Sequence, residues 1–389
     1  MSKLSHIKVT HLITSLDLGG AQTMLYKLLA HTDRRMFDPE VISMLEIGRI
    51  GRRIADLGVP VHTLGMQAGV PNPAGVGRLI GRLRKRRQDI IQTWMYHADL
   101  IGGVAGKLTG VPVVWGIHQS DLSREGHPVL TRYTIHACRR LSRRVPARII
   151  CCSKVASALH ASLGYAAEKM VVIPNGFDLT AFRPDSAMRL KIRRELDMPD
   201  SASLVGLVAR FHHQKDHHNF VTAAGIVHKR RPDIHFMLCG DDVSWQNHAL
   251  VAWIDEAGIR DQCRLLGPRD DIARLLAALD VASSSSCTGE AFPMAVGEAM
   301  ACGVPCVVTD VGDSAYLVGD TGLVVSPRDS AALANAWLKL LELSSENRRE
   351  LGLAARTRVQ SEFNVTTIAA RYEEVYHSVL DRQPSRFTS

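Results

Sequence analysis

The chain has 389 residues, 46% hydrophobic and 22% charged, the composition of a soluble globular protein with chain enough for two or three domains. No apolar run approaches the ~18–20 residues that span a bilayer. Lys8 and His11 interrupt any signal-peptide core, so the expectation is a cytoplasmic protein. The formal net charge of +8 is uneven: residues 1–185 carry 25 Lys+Arg against 13 Asp+Glu, and residues 186–389 carry 22 against 26. The cysteines fit a reducing compartment. Cys151, Cys152, Cys239 and Cys306 lie in strand-like apolar runs, where a thiol acts as a small hydrophobe. Cys302-x3-Cys306 has no second ligand pair nearby to make a zinc site.

Residues 7–15 alternate as a strand. Asp17-Leu18-Gly19-Gly20-Ala21 follows, then a helical pattern to Ala30. A strand, a glycine turn and a helix start let the backbone approach an anion, although the pattern is neither GxGxxG nor a P-loop. Strand patterns at 40–45, 61–64, 90–96, 111–117, 148–153 and 170–174 alternate with helical patterns at 76–87 and 98–108. This alternation predicts a parallel sheet with helices on both faces and ligands at the carboxyl ends of its strands. His118 sits at one such end and His97 at another. Asp121 is placed either to orient His118 or to cap a helix. Basic residues cluster at Arg78, Arg82, Arg84, Lys85, Arg86 and Arg87, and again at Arg139, Arg140, Arg143 and Arg144. A solvated helix face explains either cluster alone, and the charge asymmetry between the halves adds an anionic lipid or acceptor as a partner. No motif of interleaved basic and aromatic residues points to nucleic acid.

Asn175-Gly176 marks a turn and 185–202 is a charged stretch, so a domain boundary is expected near residue 184. A strand over 203–209 leads into Arg210 and Lys215, in a loop before a helix at 217–229. Arg binds phosphate oxygens bidentately and Lys binds them as a point charge. Two cations there suit a departing diphosphate. His212, His213, His217 and His218 lack the carboxylate spacing of a metal motif. Further strands are expected at 235–240, 264–267 and 280–286. Residues 289–311, GEAFPMAVGEAMACGVPCVVTDV, then read as loop, helix and strand. Pro293 suits the first helical turn, Gly303 the residue past the end, and 304–309 a strand buried on both faces. Glu290 lies in the loop. Glu298 lies among apolar helix residues, where a buried carboxylate requires a donor. A last strand at 321–325 precedes helices at 331–343, 346–362 and 365–380.

The spacing E-x7-E from Glu290 to Glu298, with Phe292-Pro293 after the first Glu and EAMACGVPCVVTDVG from the second, resembles the retaining glycosyltransferases of family 4, which have the GT-B fold. Gly19-Gly20, the segment 172–184 and the R-x4-K of Arg210 and Lys215 match the same family. The resemblance implies an α/β protein of two Rossmann-like, doubly wound parallel-sheet domains facing across a cleft. Residues 1–184 would bind the acceptor, 185–364 the nucleotide sugar, and the helix in 365–389 would pack back on the first domain. It implies that Glu290 contacts the donor sugar, that Glu298 holds the ribose hydroxyls, and that Arg210 and Lys215 bind the diphosphate. Phe292, Pro293 and Met294 would line the donor site, Gly19 and Gly20 would lie beside the phosphates and acceptor, and His118 would reach the transferred sugar. No metal and no other cofactor is implied. Many relatives have Gly-Phe-Pro-Asn after the first Glu. Here it is Ala291-Phe292-Pro293-Met294, so the donor hydroxyls that are read stay open.

The expected function is transfer of a sugar from a UDP- or GDP-sugar to a hydroxyl of a glycan or lipid-linked acceptor, with retention, in cell-surface polysaccharide synthesis. Peripheral contact with the inner face of the cell membrane would come through the basic first domain. A GT-B sugar-nucleotide epimerase and a non-catalytic nucleotide-sugar-binding protein stay open as alternatives. A glycosidase, with two carboxylates across one bond, suits the cations poorly.

Overall fold

The structure, a computed structural model, describes residues 6–67, 72–120, 128–199 and 202–382. It divides into two units, 1–176 with 365–389, and 177–364.

In the first unit seven short apolar segments form a parallel sheet: β1 (Ile7–Ile13), β2 (Phe37–Ser43), β3 (Val61–Thr63), β4 (Ile90–Trp94), β5 (Val113–Ile117), β6 (Arg148–Cys151) and β7 (Met170–Val172). Their order is β3-β2-β1-β4-β5-β6-β7. β4 and β5 are buried at every position, as strands covered on both faces must be. Alternate residues of β1 enter different cores: Val9 and Ile13 one, Leu12 the other. Helix Val365–Leu380 belongs to this unit and places Ile368, Tyr372, Val375, Tyr376 and Val379 in the core that also holds Met24, Leu25 and Leu28 of helix Gly20–His31.

The second unit repeats the plan with β8 (Ser203–Val208), β9 (Ile234–Cys239), β10 (Cys263–Leu265), β11 (Val281–Ser284), β12 (Cys306–Thr309) and β13 (Gly322–Val325). Their order is β10-β9-β8-β11-β12-β13, again parallel. Each sheet begins in its middle and then grows the other way, so β1 lies beside β4 and β8 beside β11. At such a switch point the flanking loops diverge and open a crevice at the carboxyl ends of the strands.

Three expectations change. The chain enters the second unit at Phe177 rather than near 184, because the Phe177 ring is already in the second core beside Phe292. The strand expected at 304–309 begins at Cys306. Val304 still closes the preceding helix, its N–H donating to the Ala299 carbonyl at 3.1 Å. The basic helix, Pro73–Arg86, is not basic on all sides. Arg82 and Arg86 turn inward onto the fully buried Glu40, at 2.7 and 2.9 Å, and the Thr10 hydroxyl and the Gln88 amide also donate to it. Those two arginines are therefore committed to the fold. In the second unit Asp280 likewise holds Arg193, fully buried, at 2.6 Å and Arg189 at 2.7 Å. Removing one partner of such a buried pair costs roughly 3–5 kcal/mol. No helix among the described residues is long and apolar enough to cross a membrane.

Candidate functional site

The switch point of the second sheet sets the site. β8 runs out through Ala209 and Arg210 into a single helical turn at 213–215, and β11 runs out through Ser285 and Ser286 toward Glu290. The two loops are sewn together. The Cys287 N–H donates to the Gln214 carbonyl at 2.9 Å, and the Ser285 hydroxyl donates to the Lys215 carbonyl at 2.8 Å. Lys215 Nζ then meets Glu290 Oε2 in an ion pair, and the Ser286 hydroxyl donates to the same oxygen at 3.4 Å. A third loop, after β12, closes behind. Thr309 Oγ1 donates to the Ser286 carbonyl at 2.6 Å, and the Asp313 N–H donates to the Ala291 carbonyl at 3.1 Å. Gly312, at φ +62, lies so close that a Cβ there would be 1.9 Å from the Glu290 carbonyl oxygen. Three strand ends therefore fix one carboxylate and one ammonium.

The short helix Met294–Ala301 begins four residues after Glu290, with no side chain capping its first turn. Its first amides, unpaired within the helix, form an anion-seeking end beside the pair. Glu298 is half-buried on the same helix, while Val296, Ala299 and Met300 fill the core. Of the expected donor-lining residues, Phe292 has its ring in the core, stacked on Phe177 at 6.1 Å and tilted against Phe363 at 5.6 Å, so its backbone is what it offers a ligand. Pro293 is buried and Met294 half-buried. Arg210 is exposed. Burial, then Arg210, His213 and Lys215, disfavour protonation of His212. His217 is buried beside Phe211, and burial lowers its pKa to about 4, so it enters the site region neutral. Among the described residues no three His, Cys, Asp or Glu side chains gather as a metal-ligand set.

The first unit carries a second group of expected residues at its own switch point. Gly19 is the residue before helix Gly20–His31, whose first turn also has no side-chain cap. His118 follows β5, and its imidazole stacks on Trp94, the last residue of β4, at 4.8 Å and 19°. Burial lowers the His118 pKa to about 4, and its Nε2 has no hydrogen-bond partner among the described residues. Asp121 lies outside the described residues. The structure thus brings Glu290 and Lys215 into contact, puts Arg210 and Glu298 on the flanking segments, and sets His118, Gly19 and Gly20 at the corresponding edge of the first sheet.

Sequence reasoning missed Ser286, Gln214, Gly312 and Trp94. The run Ser283–Ser286 was visible, but alternation along a strand does not say which hydroxyl turns toward a carboxylate. Nothing in the spacing links Gly312 to Glu290, because the contact runs from backbone to backbone between two loops.

Residues 18–181 match the family described as Glycosyltransferase Family 4, and residues 202–343 match Glycosyl transferases group 1. Over 193 residues the chain is 31% identical to N-acetyl-alpha-D-glucosaminyl L-malate synthase of Bacillus anthracis, a match that spans about half, 49%, of each chain. It is 25% identical over 308 residues to the Escherichia coli UDP-Gal:alpha-D-GlcNAc-diphosphoundecaprenol alpha-1,3-galactosyltransferase, covering 76% of both chains. Among solved structures, the Anabaena protein HepE in complex with UDP-glucose superposes with a TM-score of 0.84 at 25% identity, over 96% of this chain and 100% of that one. With both halves matched in sequence and both sheets built on the same plan, the chain belongs to the family 4 glycosyltransferases of GT-B fold.

Proposed function

We propose that this protein transfers a glycosyl group from a UDP-sugar to a hydroxyl of a glycan or lipid-linked acceptor, with retention and without a metal ion, in the synthesis of a cell-surface polysaccharide. The observation that carries the proposal is the Lys215–Glu290 ion pair at the switch point of the second sheet, beside the uncapped start of helix Met294–Ala301. The choice of UDP is supported by relatives that take it: HepE holds UDP-glucose, and the Escherichia coli relative is named for UDP-galactose.

In this reading the second unit holds the donor. Lys215, Arg210 and the first amides of helix Met294–Ala301 take the diphosphate, and Glu298 takes the ribose hydroxyls. Glu290 and His118 orient the sugar. The acceptor oxygen forms its bond to the anomeric carbon as the bond to the diphosphate oxygen breaks on the same face. The acceptor proton passes to the departing diphosphate, whose charge Arg210 and Lys215 stabilise in place of a divalent cation. The first unit presents the acceptor. Its basic surface makes peripheral contact with an anionic membrane, placing the enzyme at the inner face of the cell membrane.

Donor turnover is measured with UDP-glucose, UDP-galactose and UDP-N-acetylglucosamine, with and without EDTA, alongside thermal shift with UDP. Transfer that EDTA leaves intact, and that Glu290→Ala abolishes while UDP still raises the melting temperature, is expected. A Glu290→Ala variant with near-normal turnover would falsify the site. A UDP shift without transfer to any acceptor, and without interconversion of the donor sugar, would leave a binding protein instead.

A further inference from the structure

We infer that Trp94 is the positioning residue for His118 and that Tyr372, on helix Val365–Leu380, backs Trp94, so that this helix contributes to the site through two stacked rings. The inference rests on the proposed role of His118 at the donor sugar. Trp94 is fully buried at the carboxyl end of β4. Its ring lies nearly parallel to that of His118, at 4.8 Å and 19°, and nearly parallel to that of Tyr372, at 6.0 Å and 11°. Its indole N–H donates to His11 Nδ1 at 3.2 Å, and His11 is itself 2% exposed. The indole is therefore held at its edge by a hydrogen bond and across its plane by rings.

His118 is placed differently. Its Nε2 has no partner among the described residues. The nearest strand position, Gly116, has no side chain, and a Cβ built there would lie 3.4 Å from that nitrogen. With no hydrogen bond at Nε2 to fix the imidazole, the face of Trp94 sets its tilt. Stacked and tilted aromatic pairs prefer defined geometries, and a catalytic group must be aimed within a fraction of an ångström to be effective. Helix Val365–Leu380 follows the whole second unit in sequence, yet it supplies Tyr372 to this ring stack. Tyr372 is itself buried, 1% exposed, so it acts through Trp94. Its contribution is to keep Trp94 from tilting away from His118.

The test uses the full-length enzyme and two independent readouts. In the proton spectrum of imidazole-labelled protein, with His118 assigned by its loss in His118→Gln, the His118 ring protons are expected upfield from the ring current of Trp94. Trp94→Leu is expected to remove that shift and to lower kcat about 10²-fold, the effect of a misplaced catalytic group. UDP affinity by calorimetry is expected to stay within about twofold, since the nucleotide is held by the other unit. Trp94→Phe, which keeps an aromatic face, and Tyr372→Leu are expected to fall between wild type and Trp94→Leu in both readouts. An unshifted His118 in the wild type overturns the inference without any variant. So does a Trp94→Leu enzyme with wild-type kcat. If Trp94→Leu fails to fold, Tyr372→Leu decides: unchanged kcat and shift there remove the helix from the argument. If the wild type turns over none of the three UDP-sugars, the functional proposal fails, and the ring-current measurement still decides the stacking.

Discussion

Asp99 shows what one residue costs the fold. It is 1% exposed, in the first turn of helix Tyr96–Thr109. There it accepts from the Thr93 hydroxyl at 2.6 Å and from the Gly116 N–H at 3.4 Å, tying β4 to β5 next to the Trp94–His118 stack. Burial raises its pKa to about 8, against the lowering effect of the two hydrogen bonds. The folded chain therefore keeps a proton that the unfolded chain has released above about pH 4. Stability from this group is complete below the unfolded pKa and is lost as pH rises toward 8, with a ceiling of about 1.4 kcal/mol per pH unit. The buried histidines act with the opposite sign. Burial lowers His11 to about 3 and His118 and His217 to about 4, so protonation of the unfolded chain erodes stability as pH falls below about 6.5. Between pH 6.5 and 8 the unfolded histidines finish releasing their protons and the thiols that burial keeps protonated, Cys138 and Cys151 among them, begin to contribute, so the share of Asp99 is read as a difference between wild type and variant. Over that interval the melting temperature of the wild type is expected to fall relative to that of Asp99→Asn, which keeps an oxygen acceptor for Thr93 and Gly116. Parallel curves for the two proteins would show that Asp99 is ionised in the fold.

Among the elements, the loop after β12 decides how well the site is held. Gly312 adopts φ +62, and its backbone lies against the Glu290 carbonyl. In Gly312→Ala the left-handed backbone alone costs on the order of 1 kcal/mol. The methyl group would also meet a carbonyl oxygen at 1.9 Å, so the Glu290 loop must move. The expected result is a drop in melting temperature together with a fall in kcat of about 10²-fold, with UDP affinity reduced far less. A melting shift with unchanged kcat would separate this loop from the positioning of Glu290. The sequence does announce most elements here. The β/α alternation predicts both sheets, and the 365–380 helix is delimited to the residue, because hydrophobic period and caps are local. The E-x7-E spacing and the R-x4-K pair are local as well, and they single out Glu290, Glu298, Arg210 and Lys215. What cannot be read is contact between distant loops and rings. Gly312 against Glu290, Trp94 against His118 and Arg82 against Glu40 each join segments whose separation only the folded sheet order removes.

Across the whole molecule the charge of +8 comes from the first half of the chain, and the fold gathers much of it on one face of the first unit. Helices Pro73–Arg86, Tyr96–Thr109 and Val129–Leu141 lie side by side. Asp99, buried, is the single carboxylate in their sequences. Leu108 is exposed, as are Arg84, Lys85, Lys107, Arg140, Arg143 and Arg144 on these helices and the turn after the third. Arg84 donates to the Leu108 carbonyl at 3.2 Å, and Lys169 donates to the Arg143 carbonyl at 2.7 Å. Val129, Leu130 and Tyr133 add exposed apolar surface on the third helix. Exposed basic side chains without intervening acids, with the exposed Leu108 next to Lys107 and its carbonyl bonded by Arg84, suit an anionic bilayer. Each Lys or Arg near such a surface contributes about 1 kcal/mol, and the attraction fades within a Debye length. Sedimentation with phosphatidylglycerol vesicles at low salt is expected, with little or none on phosphatidylcholine and a sharp loss at high salt. Arg140→Glu with Arg143→Glu is expected to abolish vesicle binding while leaving turnover of a soluble acceptor intact, since neither residue lies at a strand's carboxyl end. Equal sedimentation with both lipids, or no effect of the charge reversal, would detach this face from the membrane and leave it a solvated surface.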